Sequence, residues 1–245
     1  MSQIQCLESK IENATSILAK LCIEPLKKGQ GITVGNALRR TLLSDIPGIA
    51  IVGVHIDNVN HEFSTIPGVR EDVIEIILNL KQIVFKGNLS EAVIARLEFQ
   101  GPGIVTAQDF SLPSGITLVE PTQYIASLTG QDSLMMEVLI EPGYGYLVSE
   151  QFINQLPKGF LAVDAVFMPV RKANFFVETS RTTTVSISES IIFEIITDGS
   201  IEPLAAMDYA ISTLEKLFSS FNVNSIPSSQ PVILVEKSEA SNSFD

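Results

Sequence analysis

The sequence predicts an α+β fold. Three stretches place apolar residues at helical spacing, around 34–42, 69–80 and 204–221. The long segments between them are rich in β-branched residues and punctuated by Gly and Pro. With 245 residues, 45% of them hydrophobic, the chain can bury a sizeable core, and its length suggests one or two domains.

In chain order, residues 12–25 read as a strand pair or one long strand. Ile17, Leu18, Leu21 and Ile23 are its apolar points, and a break is expected at Pro25. Lys28-Gly29-Gln30-Gly31 reads as a turn; it lacks the Gly-Lys-Ser/Thr ending of a phosphate-binding loop. Thr33 is a candidate N-cap for a helix to about Asp45, ended by Pro47-Gly48. Val34, Ala37, Leu38, Thr41 and Leu42 share its apolar face, and Arg39 and Arg40 project from the other side. Residues 49–59 predict a strand in which Val52, Val54 and Ile56 alternate with Gly53 and His55. Residues 61–68 form a loop. A second helix is expected from Val69 through Val73, Ile76, Ile77 and Leu80, with Glu71, Asp72, Glu75 and Asn79 on its outer face. Residues 83–141 are strand-like, broken at Gly101-Pro102-Gly103, Pro113, Pro121 and Gly130. A turn at Gly143-Tyr144-Gly145-Tyr146 leads into an irregular segment, 147–160. Strands follow at 160–170, 175–180, 182–188 and 191–197. After the Asp198-Gly199 turn, Pro203 suits the first turn of a last helix, where its missing N–H costs nothing. Residues 225–245 are Ser-rich and read as a tail or linker.

Composition excludes several functions. Lys and Arg total 16 and Asp and Glu 28, a net charge of −12, which argues against direct DNA binding by this chain. The longest apolar runs, such as 49–54, are too short to span a bilayer, and no secretory signal is expected. Cys6 and Cys22 are too few for a disulfide framework, so a reducing, cytoplasm-like compartment is the default. With His55 and His61 the only histidines, no zinc site can be assembled. The nine Asp are scattered and include no Asp-x-Asp pair, so a polymerase-type magnesium site is not expected.

Leu204, Met207, Ile211, Leu214, Phe218 and Phe221 are spaced 3, 4, 3, 4 and 3 apart. Such a stripe is either the core face of one helix or part of a helix–helix dimer contact.

At Gly35-Asn36-Ala37-Leu38-Arg39-Arg40-Thr41-Leu42-Leu43-Ser44 the chain resembles the N-terminal region of bacterial and plastid-type RNA polymerase alpha subunits. The likeness continues at 61–65, 69–73, 78–81, 163–170, 174–178 and 198–203, in the family's order over roughly 10–222. It implies a discontinuous dimerisation domain, 1–47 and 170–225, built of a sheet and two helices. A mostly β second domain, 48–169, is inserted into it, and a flexible tail or linker occupies 226–245. It implies a homodimer with Val34, Leu38, Leu42, Leu204, Met207, Ile211, Leu214 and Phe218 at the shared interface. The dimer would be the platform on which the beta and beta-prime subunits assemble, in the cytoplasm or plastid stroma and without a membrane. The catalytic magnesium belongs to beta-prime, so this chain needs no cofactor and carries no catalytic residue.

The resemblance assigns Arg39, Arg40, His61, Glu62, Phe63, Ser64, Thr65 and Lys81 to beta binding, and Asp164 and Val170 to beta-prime binding. A guanidinium suits such a contact because it can hold a carboxylate or carbonyl with two parallel bonds; two adjacent helix arginines are otherwise a solvated face. Phe63 reads equally as a core anchor. The family usually continues into a small helical domain that binds upstream DNA and activators. The sequence ends at Asp245, within what reads as linker, so those contacts are not carried over.

Overall fold

The computed structural model describes residues 3–181 and 187–221. Most of the strand expected at 182–188, and the tail expected at 226–245, lie outside them. The chain opens on a hairpin of two long strands, β1 (Gln3–Asn13) and β2 (Ser16–Lys27), followed by helix α1 (Gln30–Ser44) and β3 (Pro47–Ile56). Helix α2 (Val73–Leu80) precedes β4 (Phe85–Gly87), β5 (Val93–Gln100), β6 (Gly103–Thr106), β7 (Phe110–Ser111), β8 (Ile116–Leu118) and β9 (Tyr124–Leu128). Then come β10 (Ser133–Tyr144), β11 (Tyr146–Leu147), two 3-10 turns, β12 (Leu161–Ala162), β13 (Ala165–Val166), β14 (Val170–Arg181), β15 (Ile187–Thr197) and helix α3 (Pro203–Ser219). The α+β class stands.

One antiparallel sheet has the order β1-β2-β15-β14 and so joins both ends of the chain; Ile17 pairs with Thr197. Helices α1 and α3 cover one face, burying Leu21, Leu38, Leu42, Phe193, Ile195 and Met207 in one core. A five-stranded sheet, β12-β3-β10-β5-β7, packs with α2 and the pairs β4–β8 and β6–β9 around a second core. A smaller apolar cluster, containing Val52, Leu139, Phe152 and Phe167, lies beside them.

Several local expectations give way to long-range contacts. Strand β2 runs through Pro25; the register of β15 shifts between Glu189 and Ile191 opposite it, a bulge that accommodates a residue with no N–H to donate. Helix α1 starts at Gln30 rather than after Thr33. Its cap comes from β15: Gly29 and Gly31 donate their amides to the Glu189 carboxylate, at 2.8 Å each. Gly29 takes φ 87°, a left-handed conformation open to glycine. Pro47 and Gly48 open β3 instead of closing α1. In β3, a bulge between Leu139 and Ile140 of its partner sends Val52 to the small cluster while Val54 and Ile56 face the main core. Helix α2 starts at Val73, because Val69 and Arg70 are already paired to β9. The single strand expected at 160–170 is two two-residue strands. The segment pairs first with β3 and then with β11 before joining β15, and each change of partner breaks the ladder.

Helix α3 begins with Pro203 at its first turn, as its sequence indicates. Its buried face is Pro203, Ala206, Met207 and Ala210, with Ile211 and Leu214 packed alongside. The expected six-residue stripe runs along one side of the helix but is covered only in part within one chain. The two small alanines let α3 approach the core, while Leu204 and Phe218 are 53% and 62% exposed and Phe221 is exposed too.

Candidate functional site

Arg39 and Arg40 lie in the second half of α1 but do different things. Arg39 reaches across to the sheet, where its Nε donates to the Ala173 carbonyl of edge strand β14 at 2.9 Å. Arg40 is exposed, and its side chain has no polar partner among the described residues. The two arginines expected on one solvated face thus divide into an anchored and a free group.

The loop ahead of α2 carries the other sequence-predicted residues. His61, Glu62, Phe63 and Thr65 are exposed, and Ser64 is half-buried. Phe63 is 75% exposed, so the core-anchor reading does not hold in the single chain. The loop is nevertheless tied down. Ser64 donates its amide to the His61 carbonyl at 3.2 Å, and its hydroxyl bonds His61 Nδ1 at 3.1 Å. The Val73 amide donates to the Ser64 carbonyl at 3.2 Å, and Thr65 forms a β-bridge with Asp72.

Lys81 and Asp164, assigned by resemblance to different partners, meet in one chain. Lys81 Nζ lies 3.4 Å from Asp164 Oδ2 and 5.2 Å from the centre of the Tyr146 ring. The Tyr146 hydroxyl donates to Asp164 Oδ2 and the Ser149 amide to Oδ1, each at 2.9 Å. These bonds, the Ser149 amide foremost, hold the Asp164 carboxyl at about 2, below its ordinary value. Val170, by contrast, is a buried core residue at the start of β14, 2% exposed and packed in the α1–α3 core. Nothing of it is presented to a partner.

Of the residues expected at a dimer contact, Leu38, Leu42 and Met207 are fully covered within one chain, and Val34, Ile211 and Leu214 are partly covered. Leu204 stands open near the start of α3, and Leu217, Phe218 and Phe221 are exposed at its end, where the rings of Phe218 and Phe221 pack edge-on at 6.2 Å.

Glu71 is the residue sequence reasoning misplaced most. Set on the outer face of α2, it is instead 8% exposed and turned to β9. It accepts from the Tyr124 hydroxyl, from the Ser127 amide at 2.7 Å and from the Ser127 hydroxyl at 3.3 Å. Burial works to raise its carboxyl pKa, but these donors outweigh burial and hold it below the ordinary value. A carboxylate one residue ahead of a helix N-cap looks like dipole chemistry in sequence, and nothing local marks its inward turn.

Among the described residues no group of three His, Cys, Asp or Glu side chains could hold a metal ion, and no helix is long and apolar enough to cross a membrane. Arg40, the Phe63 loop, Tyr146 and the end of α3 are exposed to solvent.

Comparison with known proteins follows the same line. The family model described as the RNA polymerase Rpb3/RpoA insert domain matches residues 54–168. The chain is 57% identical over 222 residues to the DNA-directed RNA polymerase subunit alpha of Emiliania huxleyi, covering 91% of this chain and 72% of that one. Its counterpart from Cyanidium caldarium is 50% identical over 221 residues, covering 90% and 71%. That of Guillardia theta is 51% identical over 217 residues, covering 89% and 68%.

Proposed function

The chain belongs to the family of DNA-directed RNA polymerase alpha subunits, and from that premise we propose that it acts as a homodimeric assembly platform for the two large catalytic subunits, without catalytic residues of its own. Arg40, the Phe63 loop and Lys81 at the far end of α2 are the residues offered to beta. Asp164 sits next to Lys81 and belongs to the same network, so beta-prime contact at Asp164 would engage that network as a unit. Val170 supports the fold from within its core. The second copy packs on the open side of α3, where Leu204 near its start and Leu217, Phe218 and Phe221 at its end are uncovered.

The observation that carries this reading is Phe63. A phenylalanine three-quarters exposed on a loop tied at both ends is expensive to display in water. Aromatic and Arg anchors are also what protein interfaces concentrate. Co-purification of beta with the parent chain and with Phe63→Ala and Arg40→Ala variants tests it. Beta should be lost from both variants while each remains folded. Equal recovery of beta by all three chains would refute the assignment of this face.

A further inference from the structure

Both ends of α2 are tied to one strand by side chains. Near its C-terminal end, Asn79 Nδ2 donates to the Ile125 carbonyl of β9 at 2.9 Å. Just before its N-terminal end, Glu71 receives the Ser127 amide, the Ser127 hydroxyl and the Tyr124 hydroxyl, all from the same strand. The main chain just ahead of Glu71 adds Arg70 N–H to the Ser127 carbonyl at 3.0 Å and Thr129 N–H to the Gly68 carbonyl at 2.9 Å. Residues 68–71 therefore run beside β9 as a short stub of strand, with the Glu71 carboxylate serving as one of its acceptors. A buried carboxylate is costly unless its lone pairs are used, and here three donors use them.

The parts that protrude hang directly from these ties. Asp72, next to Glu71, bridges Thr65, and Val73 holds the Ser64 carbonyl, so the loop bearing Phe63 is suspended from the residue after the clamp. Lys81 follows Asn79 by two residues and reaches Asp164 and Tyr146. The outward face of α2 between them shows Ile74 and Leu78 to solvent.

We infer that Glu71 and Asn79 are positioning residues for subunit assembly: by stapling α2 to β9 at both ends they hold the Phe63 loop and Lys81 at a fixed separation, as one preorganised surface for the beta subunit. This rests on the reading that the loop and Lys81 face beta. Neither staple residue needs to touch the partner. Their effect is to remove, before binding, the ordering that a loose loop would have to undergo during it.

The test uses the full chain, with Glu71→Gln, Tyr124→Phe, Asn79→Ala, Phe63→Ala and Lys81→Ala variants and the double variant Glu71→Gln/Phe63→Ala. Affinity for isolated beta, thermal melting, and amide hydrogen exchange at 64–73 and at 76–80 are measured for each. Tyr124→Phe removes a single hydroxyl and serves should Glu71→Gln fold poorly. Glu71→Gln and Tyr124→Phe are expected to speed exchange at 64–73 and leave 76–80 protected, Asn79→Ala to speed exchange at 76–80, and each to weaken beta binding about tenfold, the size of one charge-assisted hydrogen bond. The double variant should bind no more weakly than Phe63→Ala alone, because Glu71 acts through the loop that Phe63 occupies. A purely structural role would lower the melting temperature and add independently to Phe63→Ala. Independent addition, unchanged exchange at the end of α2 that each staple variant frees, or unchanged beta affinity in the staple variants would overturn the inference while leaving the beta-facing surface intact. If Phe63→Ala and Lys81→Ala both leave beta affinity unchanged, the surface assignment itself fails, whatever the staple variants do.

Discussion

Asp164 shows what a half-buried carboxylate can do with three well-placed donors. The Ser149 amide, the Tyr146 hydroxyl and the Lys81 ammonium all favour its ionised form and hold it at about 2, against 3.8 ordinarily. Because the folded carboxyl ionises more readily than the unfolded one, its contribution to stability is complete above about pH 4 and is lost as the pH falls toward 2. Titration followed by carboxyl NMR should place its midpoint near 2, and Asp164→Asn should flatten the stability–pH slope in that window. A midpoint at the ordinary value would detach Asp164 from Lys81 and Tyr146. The neighbouring arginines of α1 make a second comparison. Arg39→Ala leaves the Ala173 carbonyl without its donor and should cost about 1 kcal/mol of stability. Arg40→Ala removes no side-chain bond among the described residues and should leave the melting temperature unchanged. Its loss should appear in beta binding instead, where truncating one partner of a buried charged contact typically costs about 2–5 kcal/mol. Melting curves of the two variants, run beside a beta pull-down, separate the roles. A fall in melting temperature for Arg40→Ala would make it a structural residue.

At the scale of elements, α1 depends on two glycines for its approach to the sheet. A Cβ on Gly31 would lie 2.7 Å from Val177 Cγ1, and one on Gly35 would overlap the Phe175 ring. Ala is the better helix former by about 1 kcal/mol. Steric overlap with β14 nevertheless outweighs that gain, since overpacking typically costs about 1–3 kcal/mol. Gly35→Ala should therefore lower the melting temperature, and adding Phe175→Leu should recover part of the loss. Stabilisation by Gly35→Ala alone would show that α1 can move off the strand freely. The same helix explains why its start was misplaced in sequence. Thr33 resembles a cap, but the amides of Gly29 and Gly31 are satisfied by Glu189, about 160 residues away. Helix α2 shows the matching error at Glu71, where a polar residue at helical spacing serves a strand rather than solvent.

Across the whole molecule, the sheet that joins both ends of the chain leaves α3 covered on one side only. Met207 is sealed in the core of a single chain, whereas Phe218 is open. The two positions should respond oppositely to a charge. Met207→Glu would bury an unpaired carboxylate and should unfold the chain. Phe218→Glu should leave the single chain folded and abolish self-association, because the charge would be buried only when a second copy packs on it. Sedimentation of the parent and both variants, with circular dichroism for folding, checks this. A folded Phe218→Glu chain that still dimerises would exclude the end of α3 from the contact.

The α+β class, the three helices and most strands are legible in the residue pattern alone, because hydrophobic periodicity and Gly/Pro punctuation are local signals. Pro203 marked the start of α3 for the same reason: the missing N–H of proline acts within one turn. The motif around Gly35–Arg40 and its successors carried the resemblance to the alpha-subunit family without any geometry. Tertiary structure alone decided where Glu189, Glu71 and Asn79 point, which arginine of the pair is free, and which residues of the α3 stripe remain uncovered. Those outcomes depend on partners brought close by strand pairing across the whole chain. Side-chain direction at such positions follows the nearest donor or apolar surface in space, which spacing along the sequence does not encode.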